Sequence, residues 1–183
     1  MKRHHHLYEK ICSFNNLLLA AKKAQRGKKL KASASEFNLD FEREILALQA
    51  ELQNQTYQVG GYKQFFIHDP KERLISALPY WDRVVQHALC NIIEPIFDRA
   101  LIFDSYACRK DKGSHKSVDR FTEFSRRNNY VLKCDVRKFF ASIDQEILLN
   151  ILRKYIPDQN VLWLMGQVIR SFSSTATGKG LPL

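Results

Sequence analysis

The chain has 183 residues, 45% of them hydrophobic and 11% aromatic, which is enough to pack one domain or two small ones and excludes a disordered chain. It carries 29 Lys and Arg against 19 Asp and Glu, a formal net charge of +10. A polyanionic partner is therefore expected, with an ordinary basic surface as the alternative. No apolar run is long enough to cross a bilayer, and the start lacks the core of a signal peptide. We expect a cytoplasmic protein without membrane contact.

Cysteine and histidine give no sign of a metal site. The chain has four cysteines without C-x-x-C spacing, Cys12, Cys90, Cys108 and Cys134, which predicts reduced thiols rather than a zinc ribbon or a redox pair. The histidines at positions 4–6 could chelate a metal, but a short terminal run of this kind is more often solvated.

The first half of the chain predicts two helices and a hairpin. Apolar spacing predicts one helix over 7–25, which runs into a basic loop, and a second over 40–53 with Asp40 as its N-cap. After two glycines, extended segments at 62–67 and 73–78 flank an Asp-Pro turn signal. This pattern predicts a β-hairpin.

The middle of the chain predicts a long helix, a polar loop and a strand. The helix begins near Asp82, and Pro95 marks its end or a kink. A basic, polar stretch at 104–117 follows, and then a helix at 117–127. Residues 130–134 are typical of a short buried strand that places Asp135 at its end.

The last part of the chain predicts two more helices. Ser142 with Gln145 matches a capping box that opens a helix over 145–155, and Asp144 is interpreted as a further capping residue. A second helix is expected over 160–172. With no internal repeat or linker, these elements predict one mixed α+β body.

Asp135 is the candidate for chemistry. A carboxylate that leaves a buried strand is a good oxygen ligand for Mg²⁺. However, an aspartate at a strand end is more often a turn former. The residues around Asp135 do not decide between these two interpretations.

The blocks before and after Asp135 form an ordered set. In chain order they are Arg73–Ser76, Asp82–Leu89, Glu94–Asp98, Ser105–Arg109, Gly113–His115, Asp135–Asp144 and Gly180–Leu183. This succession resembles the fingers-to-palm blocks of bacterial reverse transcriptases of the group II intron, retron and retroelement kind, most of all those of diversity-generating retroelements. The resemblance implies the fingers and partial palm of a right-hand polymerase, with a short palm sheet. Residues 1–129 would form an N-terminal extension and fingers, and 130–183 the first part of the palm.

The resemblance also implies roles for single residues. Asp135 matches the first catalytic aspartate, and the carbonyl of Val136 matches the accompanying metal ligand. Phe140 matches the aromatic residue under the sugar of the incoming nucleotide, which rejects a 2′-hydroxyl. Arg73, and less clearly Lys71, match the fingers cations that contact the triphosphate, as phosphoryl transfer requires; a solvated turn pair is the alternative.

A basic loop resembles the fingers segment that lies near the template. Contacts to the phosphate backbone would suit its side chains because such contacts position nucleic acid without reading its sequence. A charged surface loop is the alternative interpretation for each of them. The residues are Arg109, Lys110, Lys112, His115 and Lys116.

The sequence departs from the family in two places. No Tyr-x-Asp-Asp tetrapeptide occurs, although catalysis by two Mg²⁺ ions, or Mn²⁺ as a substitute, needs carboxylates from both segments. The chain is therefore expected to be an N-terminal fragment that is inactive alone.

At the end, Leu183 follows Pro182 where most of these enzymes have Gln. An aliphatic residue there is typical of the diversity-generating subgroup, and the hypothesis is relaxed fidelity in the complete enzyme.

The predicted function is that of an RNA-directed DNA polymerase piece. Its expected partners are an RNA template, a DNA or RNA primer, deoxynucleoside triphosphates and a small accessory protein. The alternative is a non-catalytic RNA- or DNA-binding module derived from a reverse transcriptase. A single-metal nuclease is a weaker third interpretation because no partner carboxylate is identified.

Overall fold

The computed structural model describes residues 6–27, 32–172 and 178–182. Their mixture of helices and one antiparallel hairpin confirms the α+β prediction. Within these residues no helix is long and apolar enough to span a membrane. The elements are α1 (Leu7–Ile11), α2 (Phe14–Ala24), α3 (Ala32–Leu39), α4 (Phe41–Gln53), β1 (Lys63–His68), β2 (Glu72–Ala77), α5 (Tyr80–Asp98), α6 (Ser114–Ser125), α7 (Phe139–Ser142), α8 (Gln145–Arg153) and α9 (Gln159–Arg170).

The chain divides into two compact units. The first unit comprises residues 1–93 and 138–183, and the second comprises 94–137. The first unit holds the apolar core, where each fully buried aliphatic side chain contributes about 1.5–3 kcal/mol. Its fully buried side chains include Ile11, Leu17, Ile45, Leu48, Leu52, Val84, Val85, Leu149, Ile156 and Leu164.

The first predicted helix is two helices. α1 ends at Ile11, and the extended Ser13 begins α2, with its hydroxyl accepting a hydrogen bond from the Asn16 amide at 3.4 Å. A serine with extended backbone is a favourable N-cap. Ser13 therefore starts a new helix, and its hydroxyl accepts an amide of the first turn that has no acceptor within α2. The prediction of one continuous helix over 7–25 is wrong. The basic loop predicted after it falls partly on residues 28–31, outside the described residues.

Asp158 joins the two ends of the first unit. One carboxylate oxygen accepts the amides of Leu7 and Tyr8, both at 3.1 Å, at the start of α1. The other oxygen caps α9 by accepting the amides of Asn160 and Val161. A single carboxylate therefore satisfies the amide donors of two helix N-termini, where negative charge is also favoured by the helix dipole.

Helix α4 confirms the predicted helix but not its predicted cap. Asp40 precedes it without a side-chain capping bond and instead pairs with Arg43 at 3.4 Å. At the other end Gln55 adopts a left-handed conformation, and the Thr56 amide donates to the carbonyl of Glu51 at 2.9 Å. This is a Schellman ending, which turns the chain sharply out of the helix.

The predicted hairpin is confirmed. β1 and β2 pair antiparallel, with Phe65 opposite Ile75, Phe66 opposite Leu74 and Ile67 opposite Arg73. Every residue of β1 is exposed. Because an isolated two-stranded hairpin is only marginally stable in water, its attachment to the rest of the unit matters for its geometry.

A buried carboxylate anchors the root of this hairpin. Asp82, in the first turn of α5, is only 2% exposed and accepts the Tyr57 hydroxyl at 2.5 Å. It also accepts the Gly60 amide, at 3.3 Å from both oxygens. A Cβ at Gly60 would lie 2.9 Å from a carboxylate oxygen of Asp82 and 3.2 Å from Pro79. Glycine is therefore required for this approach.

The long helix α5 extends beyond its predicted end. It runs three residues past Pro95, to Asp98. Proline removes one hydrogen bond but fixes a backbone angle close to that of a helix, so one more turn can follow it. Of the two alternatives predicted at Pro95, an end or a kink of the helix, the end is wrong.

The second unit contains no strand over its residues 94–137. The predicted strand 130–134 is irregular, and Tyr130 and Leu132 are 93% and 86% exposed. A strand forms only when its backbone groups pair with a neighbour, and no described segment pairs with these residues. The prediction of a buried strand, and with it a palm sheet in the described residues, is wrong.

The predicted helices at 145–155 and 160–172 are confirmed as α8 and α9. The cap of α8 is Asp144, as interpreted from sequence, and it accepts the amides of Glu146 and Ile147 at 3.1 and 3.0 Å. The hydroxyl of Ser142 instead donates to the carbonyl of Phe139. The predicted capping box is wrong because the nearer carboxylate takes the amide donors.

The Asp82 anchor gives a first prediction. We expect Asp82→Ala to lower the free energy of unfolding by about 2–4 kcal/mol because it leaves the Tyr57 hydroxyl and the Gly60 amide buried without an acceptor. Asp82→Asn, which keeps an acceptor oxygen, should be milder, and exposed Glu42→Ala should stay within about 0.5 kcal/mol. Urea unfolding followed by circular dichroism measures all three. An Ala variant as stable as the Glu42 control would contradict the anchor.

Candidate nucleic-acid interface

The predicted catalytic residue lies in the irregular part of the second unit. Asp135 is exposed, and among the described residues it has no hydrogen-bond or ion-pair partner. Val136 beside it is also exposed. The side chain is therefore accessible, but nothing in the described region holds it in one orientation.

The described residues do not by themselves fit a pair of metal ions. They contain no group of three or more His, Cys, Asp or Glu side chains placed to hold a metal. One carboxylate and one carbonyl can contribute to a Mg²⁺ site, but two ions need bridging carboxylates from a second segment.

The predicted nucleotide-binding residues belong to the first unit. Arg73 lies in β2 opposite Ile67, and Lys71 lies in the turn before it. Both are exposed and have no partner among the described residues. Phe140 lies in α7, with its ring centroid 5.4 Å from that of Phe139. Because Asp135 belongs to the other unit, a shared cleft stays a prediction.

The structure places Phe140 beside the Gly180 block. The Leu181 amide donates to the Phe140 carbonyl at 3.0 Å, and the Gly180 amide donates to the Ile143 carbonyl at 2.8 Å. The buried side-chain amide of Gln145 in turn donates to the Gly180 carbonyl at 2.9 Å. Two of the sequence blocks are thus joined by backbone bonds. Leu183 lies outside the described residues.

Arg109 braces the basic loop from within. Its guanidinium is 14% exposed and pairs with Asp98 at 2.6 Å. It also donates to the backbone carbonyls of Asp98, Ile102 and Ser105 at 2.9–3.2 Å. The hydrogen bond from Arg109 lowers the pKa of the Asp98 carboxyl, so this pair stays ionised. With four bonds inside its own loop, Arg109 has little capacity left for a ligand.

Two further predicted template residues also bond within the loop. The Lys112 ammonium donates to the Phe103 carbonyl at 2.6 Å and lies 3.6 Å from the centre of the Phe103 ring. The Lys116 ammonium donates to the Asp111 carbonyl at 2.7 Å. In contrast, Lys110 and His115 are exposed and unpartnered within the described part of the chain.

Sequence reasoning missed one residue that supports this loop. Arg120 of α6 donates to Asp104 at 2.9 Å and to Glu123 at 2.6 Å, and it lies 4.4 Å from the centre of the Phe124 ring. The bond from Arg120 lowers the pKa of Asp104. A Glu three residues after an Arg on a helix was the available sequence signal.

The second unit therefore presents a set of free cations. These side chains are exposed, and no partner contacts them among the described residues. Free ammonium, guanidinium and imidazole groups can approach phosphates without first breaking internal bonds. The free cations are Arg99, Lys110, Arg126, Lys133 and Arg137, and His115 adds a free imidazole.

Comparison with known proteins gives distant relatives. No protein-family model matches the chain. It is 23% identical over 112 residues to the putative COX1/OXI3 intron 1 protein of Saccharomyces cerevisiae, which covers 61% of this chain and 12% of that protein. It is 27% identical over 86 residues to nuclear intron maturase 1, mitochondrial, of Arabidopsis thaliana. This match covers 47% of this chain and 12% of that protein. It is 24% identical over 135 residues to protein YkfC of Escherichia coli. This match covers 70% of this chain and 35% of that protein.

The chain thus spans between 12% and 35% of the length of these relatives. At these identities the similarity is distant, and it is to an intron protein and an intron maturase among others.

The division of the loop cations into bracing and free residues gives a second prediction. We expect Arg109→Ala to speed chymotrypsin cleavage at Phe103 and Tyr106 several-fold because the variant loses four bonds that hold this loop. The matched change Lys110→Ala, one residue away, should leave the cleavage rate unchanged. Mass spectrometry of the first cleavage products measures both rates. Equal rates for the two variants would show that Arg109 does not brace the loop.

Proposed function

We propose that the chain is an RNA-binding part of a reverse-transcriptase-related protein and corresponds to the fingers and the first part of the palm. The observation that carries this proposal is the similarity to an intron protein and an intron maturase, which agrees with the ordered sequence blocks. The free cations of the second unit supply a chemical basis for RNA binding.

The proposed RNA contact is the phosphate backbone. Lys110 lies in a loop whose shape is set by Arg109 and Lys112, and His115 lies in the first turn of α6 that follows, so both side chains start from defined backbone positions. Phosphate contacts of this kind fix the position of a strand and carry no sequence information. They suit a template that must move through the protein.

The complete protein is proposed to catalyse RNA-directed DNA synthesis with deoxynucleoside triphosphates and a primer end. Asp135 would supply one carboxylate for Mg²⁺, and Arg73 with Lys71 would contact the triphosphate. Phe140 would lie under the sugar, and Leu183 would lie near the templating pair. Two metal ions would need further carboxylates beside Asp135, and the described residues place no such cluster around it.

A non-catalytic RNA-binding module is the second candidate. It is favoured by Asp135, which is exposed and has no partner among the described residues to orient it, whereas RNA binding needs only the free cations. The reading frame after codon 183 discriminates the two candidates. A frame that encodes Tyr-x-Asp-Asp favours the polymerase, and a frame without it favours the module.

RNA binding gives a third prediction. The affinity for RNA should fall steeply with salt because bound Lys and Arg release counterions from the phosphates. Lys110→Ala should make the plot of log affinity against log salt concentration less steep, with a change in slope of slightly less than one. Lys10→Ala, which removes an exposed cation of α1, should leave the slope unchanged. Fluorescence anisotropy of a labelled RNA measures both slopes. An affinity that does not change with salt would refute binding through these cations.

The catalytic proposal gives a fourth prediction, for a longer chain that includes Tyr-x-Asp-Asp. Asp135→Asn should abolish DNA synthesis on an RNA template while changing the stability by less than about 0.5 kcal/mol, because the side chain is exposed and unpartnered. Asp119→Asn, an exposed and unpartnered aspartate of α6, should change neither. Primer extension and thermal unfolding are the measurements. A folded Asp135 variant that still extends primers would exclude the metal role.

A further inference from the structure

The first unit contains a polar cavity that the proposed polymerase site does not use. It has a volume of about 470 Å³, within the range of small-ligand pockets. One wall is the segment 55–59 that follows α4, and the other is α9 with the residue after it. The cavity is therefore built from two parts of the chain that are about a hundred residues apart.

The wall formed by 55–59 is fixed in place. The Schellman ending of α4 sets its start, where the Gln55 side chain donates to Asn160 of α9 at 2.9 Å. The buried Tyr57 holds its middle through the bond to Asp82. Since the start and the middle of this short wall have defined partners, the cavity is largely pre-formed, which lowers the entropic cost of ligand binding.

Several hydrogen-bonding groups on the walls are free. Gln58 and Gln167 have side-chain amides without partners in the described part of the chain. The indole of Trp163 is half-buried, and its packing is defined by an edge-on contact with Tyr8 at 6.4 Å between ring centroids. An amide offers two donors and an acceptor. Two amides beside an indole can therefore read the edge of a flat heterocycle that stacks on the indole.

A second, smaller cavity continues the surface beyond Trp163. It has a volume of about 220 Å³ and shares Trp163 and Arg170 with the first cavity. Arg153 also lines it and donates to Asn150 at 2.7 Å, and Arg170 donates to Glu146 through Nε and Nη2 at 2.9 and 2.8 Å. Among the described residues that line the two cavities there is no Asp or Glu. The pair of cavities thus forms a groove that shares Trp163 and Arg170 and is also lined by Arg153, and the carboxylate of Glu146 beside it is paired with Arg170.

We infer that this groove binds unpaired nucleotides of single-stranded RNA, with one base beside Trp163 and read by Gln58 and Gln167. The phosphates on the neighbouring nucleotides face the guanidinium nitrogens that have no partner among the described residues, Nη1 of Arg170 and Nε and Nη2 of Arg153. Bases of single strands are recognised in this way, by stacking on aromatic rings and hydrogen bonds to their edges, whereas a duplex keeps those edges paired. The choice of RNA rests on the proposed function, but the geometry of the groove does not.

The groove favours a strand over a small soluble heterocycle. Two cavities that share Trp163 match successive nucleotides, with Arg170 in both cavities and Arg153 in the second. A free heterocycle would need only the first cavity and would make no use of Arg153.

The test uses the intrinsic fluorescence of Trp163. Trp81→Phe leaves Trp163 as the single tryptophan. Titration with an eight-nucleotide single-stranded RNA at about 0.15 M salt should quench its emission, and a duplex of the same sequence should not. Anisotropy of the labelled single strand gives the affinity of the variants. Gln58→Ala and Gln167→Ala should each weaken binding by about 2- to 10-fold, and Trp163→Leu by roughly tenfold or more.

The matched control is Gln53→Ala, an exposed glutamine at the end of α4 that lines neither cavity. It should not change the affinity, and none of the variants should change duplex binding. If Trp163→Leu unfolds, the two glutamine variants still decide. RNA that binds with the Lys110-dependent salt slope but is unaffected by the groove variants would overturn this inference and leave the proposed function intact. A protein that binds no RNA would overturn both.

Discussion

The geometry of the first unit depends on one buried carboxylate. Asp82 lies in the first turn of α5, but its carboxylate oxygens accept hydrogen bonds from Tyr57 and Gly60. These two residues belong to the segment between α4 and the hairpin. Burial raises the pKa of the Tyr57 hydroxyl, reinforced by its bond to Asp82, so the hydroxyl remains a donor. One side chain therefore fixes both the root of the hairpin, which carries Arg73, and the wall of the groove beside α9. A shift at this point would move both surfaces.

The second unit is organised differently, because it has no buried side chain among its residues. Cations hold it together instead. Arg109 donates hydrogen bonds to backbone carbonyls of the loop, and Arg120 donates to both Asp104 and Glu123. A loop held by internal charge-assisted bonds can keep its shape without an apolar core. Because Arg109 and Arg120 bond within the unit, only some of its basic side chains remain free to bind a ligand.

Sequence patterns predicted the elements that local chemistry determines. The hairpin, α4, α8 and α9 follow from periodicity and turn residues, and Asp144 follows from its position before a helix. Tertiary contacts decided the rest. α3 has no clear apolar periodicity, and Phe37 within it is buried against the ring of Tyr80 at 5.0 Å between centroids. Likewise, the basic residues near 109 look equivalent in sequence, and only the folded loop separates Arg109 from Lys110.

The misprediction at residues 130–134 bears directly on the proposed chemistry. An apolar run such as Tyr130–Leu132 has high strand propensity, but propensity becomes a strand only with pairing partners. Here the run is exposed, and Asp135 after it lacks a hydrogen-bonded setting. Catalysis of phosphoryl transfer depends on preorganised groups in a water-excluded site. Strands that pair with this run would bury its apolar side chains and orient Asp135 at the same time, so folding of this segment and orientation of Asp135 are expected to be one event.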